Sequence, residues 1–132
     1  MTGMTTVLAD TSVWVEALRT GGTRLPDMTA DDAPIGYTQP VLMELLSGCR
    51  TQGEGERVQR LVERGTLLPF DIASDFGAAA AIYRSARRRG ITPGSHVDCM
   101  ILAVAWRRGA TLLTLDRQQR MIADILGVAQ AS

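Results

Sequence analysis

Apolar positions follow two rhythms along the chain: short unbroken runs, and longer stretches in which apolar residues recur every three or four positions. The first rhythm predicts buried strands and the second amphipathic helices. Thr5 to Ala9 (TTVLA) is β-branched and apolar and reads as a first strand, with Asp10 at its carboxyl end. Thr11 to Arg19 follows as a helix, with Ser12 as its candidate N-cap and Val13, Ala17 and Leu18 at helical spacing. Gly21 to Pro34, rich in Gly, Pro, Asp and Thr, reads as a loop or mobile flap. A second strand is expected at Pro34 to Tyr37, then a helix over Gln39 to Cys49 that carries Pro40 in its first turn and Glu44 further along.

The pattern breaks from Gly48 to Gly55 and resumes as a helix over Glu54 to Glu63, with Val58, Leu61 and Val62 facing inward. Leu67 to Phe70 predicts a third strand. A long alanine-rich helix runs from Ser74 or Asp75 to Arg89 and is stopped by Gly90; another lies between Pro93 and Arg108, capped by Ser95 and ended by Gly109. Thr111 to Leu115 is the fourth strand, with Asp116 at its end, and Arg117 to Leu126 the last helix. Val128 to Gln130 adds a short edge strand. Strands alternating with helices predict an α/β fold, one domain over residues 1–132 with a mostly parallel sheet of four to five strands covered on both faces.

With 132 residues the chain can bury roughly two-thirds of the surface exposed when unfolded, so it needs neither a disulfide nor a metal to fold. Its longest apolar stretch, Val97 to Trp106, is interrupted by Asp98 and too short to span a bilayer. The N-terminus has no basic region and no apolar stretch of signal-peptide length, which makes the cytoplasm the expected location. Cys49 and Cys99 read as small buried hydrophobes, and Trp14, Met43 and Trp106, at helical spacing, as core rather than as a partner surface.

Fourteen acidic residues balance fourteen basic ones, and every basic residue is an arginine. The absence of lysine removes a Walker-type phosphate loop, Schiff-base chemistry and a lysine general base. It also argues against a receiver-like signalling domain, which gathers acids around Mg²⁺ but uses a lysine beside them. His96 is the only histidine, so a Ser-His-Asp or Cys-His hydrolase would have to place its base there; its expected place is an exposed helix start. The carboxylates remain the main reagents.

In open α/β sheets reactive groups gather beyond the carboxyl ends of the strands, where Asp10 and Asp116 stand. Each also suits a plain turn or cap. Asp98 lies in HVDCMILAVAW, apolar on nearly every face, and is expected to be packed inside with a compensating partner; its distance of three residues from Ser95 also suits the first helical turn. Glu44 falls at the edge of an apolar stripe, a position equally open to a solvated residue or an ion pair. Were the four to converge, two carboxylates about 5 Å apart would repel by roughly 3 kcal/mol, and a cation or protons would be needed between them. An all-oxygen set suits Mg²⁺ or Mn²⁺ rather than zinc.

Four segments in order, LADTSVWVEAL, QPVLMELLSG, HVDCMILAVAWRRG and LLTLDRQ, together resemble the PIN domains over nearly the whole chain, and in particular the VapC-type toxins of bacterial toxin–antitoxin pairs. The resemblance implies a PIN-like three-layer α/β/α sandwich and an acidic site of Asp10, Glu44, Asp98 and Asp116. It implies metal contacts by Asp10, Asp98 and Asp116, a water-orienting or ion-sharing Glu44, and Ser12 or Thr114 positioning a ligand or water. It further implies a Mg²⁺- or Mn²⁺-dependent endoribonuclease, acting on RNA such as tRNA, neutralised by a VapB-type antitoxin whose tail occupies the active-site groove, and commonly a homodimer. A catalytically silent interaction module on the same fold is the alternative. Because acids repel RNA, flanking charge is required: Arg84, Arg87, Arg88 and Arg89 end one helix, Arg107 and Arg108 end the next, and Arg117 follows Asp116. Helix-end arginines also simply complement the macrodipole.

Overall fold

The computed structural model describes residues 6–21 and 34–131. The elements run β1 (Val7–Ala9), α1 (Thr11–Arg19), β2 (Ile35–Tyr37), α2 (Gln39–Ser47), α3 (Gln52–Val62), β3 (Thr66–Leu67), α4 (Asp75–Arg88), α5 (His96–Arg108), β4 (Thr111–Leu113) and α6 (Arg117–Leu126). Apart from its two ends, the loop expected at Gly21 to Pro34 lies outside the described residues, as does Thr5 of the first predicted strand. The four strands form one sheet in the order β3-β2-β1-β4, parallel throughout. Val7, Leu8 and Ala9 are buried at three consecutive positions, so side chains on both faces of β1 are covered. That burial is what a three-layer sandwich requires.

Chain order and strand order diverge at one place. From β1 the chain moves outward through β2 to β3, then returns by way of α4 and α5 to place β4 on the other side of β1. The register Val7↔Thr111, Leu8↔Leu112 and Ala9↔Leu113 brings the residues after both strands side by side. This is the topological switch point, where a crevice opens beyond the strand ends because the flanking connections diverge.

Several element boundaries differ from the pattern. α3 starts at Gln52, two residues before the predicted Glu54, because Thr51 caps it: its hydroxyl accepts from the Glu54 amide at 3.1 Å while the Glu54 carboxylate takes the Arg50 amide at 2.9 Å. A Thr-x-x-Glu capping pair outweighs the two glycines that suggested a break. The third strand is Thr66–Leu67 rather than Leu67 to Phe70. One further ladder bond joins Leu68 N to Tyr37 O at 2.7 Å, and then Pro69, with no N–H, ends the pairing. The expected edge strand at Val128 to Gln130 is an isolated parallel bridge between Leu112 and Gln130. Gly109 terminates α5 at φ 61°, in the left-handed region a Cβ disfavours.

α4 lies against α5, and their register is fixed by an ion pair. Arg107 donates from Nε and Nη2 to both oxygens of Asp75, at 2.9 and 2.8 Å, and from Nη2 to Pro69 O at 2.7 Å. Burial would raise the Asp75 carboxyl, but the Arg107 guanidinium, with the Asp71 amide and the Ser74 hydroxyl, holds it below its ordinary value. Arg107, considered above as a phosphate contact, is therefore a structural residue. Trp14 is core at 1% exposure, as expected, whereas Met43 at 52% and Trp106 at 63% are surface residues. Cys99 is buried and Cys49 half-buried. No helix among the described residues is long and apolar enough to cross a membrane.

Asp75 is 1% exposed, and among the described residues Arg107 is the cation paired with it. Arg107→Ala should cost about 3–5 kcal/mol in urea unfolding, the cost of leaving a buried charge without its partner. Replacing Asp75 and Arg107 together by leucine should cost far less. Equal losses in the two proteins would mean that packing, not the orphaned charge, sets the penalty.

Candidate active site

Asp10 closes β1 and caps α1. Its Oδ1 accepts from Ser12 N at 3.1 Å, from the Ser12 hydroxyl at 2.5 Å and from Val13 N at 3.4 Å, while Oδ2 accepts from the Thr114 hydroxyl. Ser12, expected to cap the helix, instead lies inside its first turn. Each hydroxyl also accepts a backbone amide: Leu115 N reaches Ser12 Oγ at 2.9 Å, and Asp116 N reaches Thr114 Oγ1 at 3.0 Å. Both hydroxyls give their protons to Asp10. At 2% exposure, burial raises the Asp10 carboxyl above its ordinary value, and these donors oppose the rise without cancelling it.

Asp116 caps α6 by accepting from Gln118 N at 2.8 Å. Asp98 sits in the first turn of α5, its amide held by the Ser95 hydroxyl at 3.1 Å. Cys99 and Ile101 to Ala105 are fully enclosed, but Asp98, on the first turn of that helix, is half-buried rather than packed inside as its neighbours suggested. Burial, then the charges of Glu44, Asp10 and Asp116, push its carboxyl up to about 6. All four acids thus meet electrostatically, brought in by α1, α2, α5 and α6. Among the described residues, no three Asp, Glu, His or Cys side chains are drawn tightly enough together to hold an ion unaided. The set fits Mg²⁺ in another way, since that ion keeps several waters and needs only one or two carboxylates.

Residues not singled out in the sequence complete the site. The Thr11 hydroxyl donates to Glu44 Oε1 at 2.5 Å, turning that carboxylate toward α1. Buried Gln119 donates to the Asp98 carbonyl at 3.0 Å, and Arg120 to the Thr114 carbonyl at 3.0 Å. A Cβ on Gly94 would come within 3.0 Å of Asp98 Oδ2, so glycine there leaves that oxygen room. None of these contacts has a sequence signal, because the Thr11 and Glu44 pair alone spans 33 positions. A groove of about 1000 Å³ opens beside Thr11 and Glu44, with Val15 and Leu18 on its apolar side and Arg57 and Arg60 at its rim.

The arginines divide by position. Arg84, Arg87, Arg88 and Arg89 are exposed toward the end of α4, and the short 89–95 connection joins that end to the first turn of α5, which carries Asp98. Arg117 is exposed immediately after Asp116. Arg107 and Arg108 lie at the other end of α5, about 14 Å along the helix from Asp98. His96 is exposed, as expected for a helix start.

The sequence profile of the PIN domain matches residues 7–125. The chain belongs to the PIN-domain family. This PIN domain is 40% identical over 133 residues to a VapC ribonuclease of Mycobacterium bovis and to the ribonuclease VapC11 of Mycobacterium tuberculosis, covering 96% of the chain and 98% of each relative. Among solved structures it resembles the DNA-bound VapBC of Salmonella typhimurium, with a TM-score of 0.73 at 21% identity over 96% of this chain and 97% of that one. At that identity the likeness establishes the PIN fold.

The pressure on Asp98 has a measurable sign. Its carboxyl rises from an ordinary 3.8 to about 6, so the folded chain takes up a proton between those values, and the penalty of ionising it is complete above pH 6 and absent below about pH 4. With divalent ions chelated, Asp98→Asn should raise Tm by about 3–6 °C well above pH 6, the gain fading toward pH 4. A gain independent of pH would show that the acids do not sense one another.

Proposed function

We propose that this PIN domain is a Mg²⁺- or Mn²⁺-dependent endoribonuclease that hydrolyses RNA phosphodiesters to 5′-phosphate and 3′-hydroxyl ends. The observation that carries the reading is the meeting of Asp10, Glu44, Asp98 and Asp116 around one half-buried carboxyl pushed up to about 6. A half-buried carboxyl whose proton affinity is raised by burial and by three acidic neighbours suits a cation, because a divalent charge relieves repulsion that hydrogen bonds alone leave in place. Similarity to VapC ribonucleases at 40% identity supports RNA as the substrate.

Asp10, Asp98 and Asp116 would hold the ion, directly or through its waters. When bound, it would supply charge to the phosphate oxygens and acidify a water. Ser12 and Thr114 fix the Asp10 carboxylate through their hydroxyl protons. Glu44, oriented by Thr11, faces the same centre and is suited to accept the proton that the attacking water loses. Water attacks phosphorus, the bond to the 3′ oxygen breaks, that oxygen takes a proton from solvent to become the 3′-hydroxyl, and the phosphate remains on the 5′ carbon of the following nucleotide. Arg87, Arg88, Arg89 and Arg117 would neutralise neighbouring phosphates.

The same reading makes the chain a VapC-type toxin of the cytoplasm, acting as a homodimer on tRNA and restrained by a VapB-type antitoxin. The groove beside Glu44 suits an antitoxin tail, because an apolar floor with an arginine rim accepts an amphipathic segment that carries acids.

Purified protein given total tRNA and Mg²⁺ should create new 5′-phosphate ends, and chelation should abolish them. Asp98→Asn and Asp116→Asn should each lower the rate by about 100-fold or more. Identical end maps for the parent protein and Asp98→Asn, or 2′,3′-cyclic phosphate ends, would overturn the mechanism.

A further inference from the structure

Tyr83 of α4 and His96 of α5 lie face to face, ring centroids 4.8 Å apart and planes 3° from parallel. His96 is exposed and Tyr83 half-buried, so the pair stands at the surface of the packed helices rather than in the core. One face of the imidazole covers the phenol, which leaves the other face free to receive a third flat ring. The position is not neutral with respect to the acids. His96 precedes Asp98 by two residues in the first turn of α5, about 200° round the helix, so the stack shares the helix end with Asp98 but stands on the opposite flank. Arg87 follows Tyr83 by four residues, one turn onward along the same flank of α4, and Arg84 lies beside it.

Flat aromatic faces next to guanidinium groups match an unpaired nucleotide, which offers a π face and a phosphate together. A base locked in a duplex has no such face to give. We propose that the Tyr83–His96 stack is a platform for one unpaired nucleobase in the RNA that flanks the cleaved bond, with Arg84 and Arg87 meeting its phosphates. His96 is then a substrate-positioning residue. The platform makes the enzyme select single-stranded or splayed-out segments without reading their sequence, since every base stacks. This inference rests on RNA being the substrate.

The test measures affinity in the Asp98→Asn protein, using fluorescence anisotropy of a short labelled single-stranded RNA and of the same strand annealed to its complement. His96→Leu still covers Tyr83 but offers no aromatic face; His96→Phe keeps the face. The leucine variant should bind the single strand about 5- to 30-fold more weakly, the phenylalanine variant should restore binding to within about 2-fold, and neither should change duplex affinity or Tm appreciably. Arg87→Ala should weaken single-strand binding and flatten its salt dependence. Unchanged affinity in His96→Leu, or failure of phenylalanine to restore it, overturns the platform while leaving the ribonuclease reading intact. If the Asp98→Asn protein binds neither form of RNA, the ribonuclease reading falls and the platform with it.

Discussion

The parallel pairing of β1 with β4 is the contact on which the site depends. Its last rung, Asp10 N to Leu113 O at 3.0 Å, sets the end of the first strand against the end of the last, across more than a hundred residues of chain. Once that rung is made, Ser12 and Thr114 can each give a proton to Asp10 and take an amide from the loop between β4 and α6. Two local turns thereby become one rigid corner. Helix starts supply the rest: Asp10 and Asp116 are caps, and Asp98 lies in a first turn, so the positive ends of three helices face the same acidic centre.

This corner holds opposed forces. Burial raises the proton affinity of Asp10 and Asp98, and at Asp98 the neighbouring acids raise it further, while caps and hydroxyls resist the rise. The fold tolerates the tension because it is secured elsewhere. β1 and the centre of α5 are fully enclosed in apolar contacts, and α4 is tied to α5 by Arg107 and Asp75 at the end away from the acids. Separation matters here, since a guanidinium paired within the acidic cluster would remove the charge that attracts a cation. Among the described residues, Arg87 to Arg89 and Arg117 are exposed and pair with none of the four carboxylates.

Most readings that rested on local chemistry agree with the structure, and several that needed a distant partner do not. Helix starts at Thr11 and Gln39 and the stops at Gly90 and Gly109 follow from capping and backbone preference, which act within a few residues. α3 starts two residues earlier than the break in the apolar pattern implies, because the Thr51 and Glu54 capping pair holds its first turn despite the glycines around it. Pro69 likewise carried the information that shortened β3. In contrast, Arg107 looked like Arg108 and Arg89, and nothing local separates the one that is paired inside from the others. Met43 and Trp106 misled for the same reason, since a helix with apolar residues on several sides does not declare which side the fold covers.

By itself the sequence determined the alternation of strands and helices, the absence of lysine chemistry, and the four acids, two of them at strand ends. These depend on periodicity, composition and residue type, all of which are properties of short windows. Only the tertiary structure decided that β4 returns beside β1, that Glu44 is turned by Thr11 and Asp98 half-exposed by its place at a helix end, and that Tyr83 lies on His96. Each of these joins residues far apart in the chain. Such contacts are chosen by how the whole set of apolar faces can be buried at once, a global condition that no local stretch records.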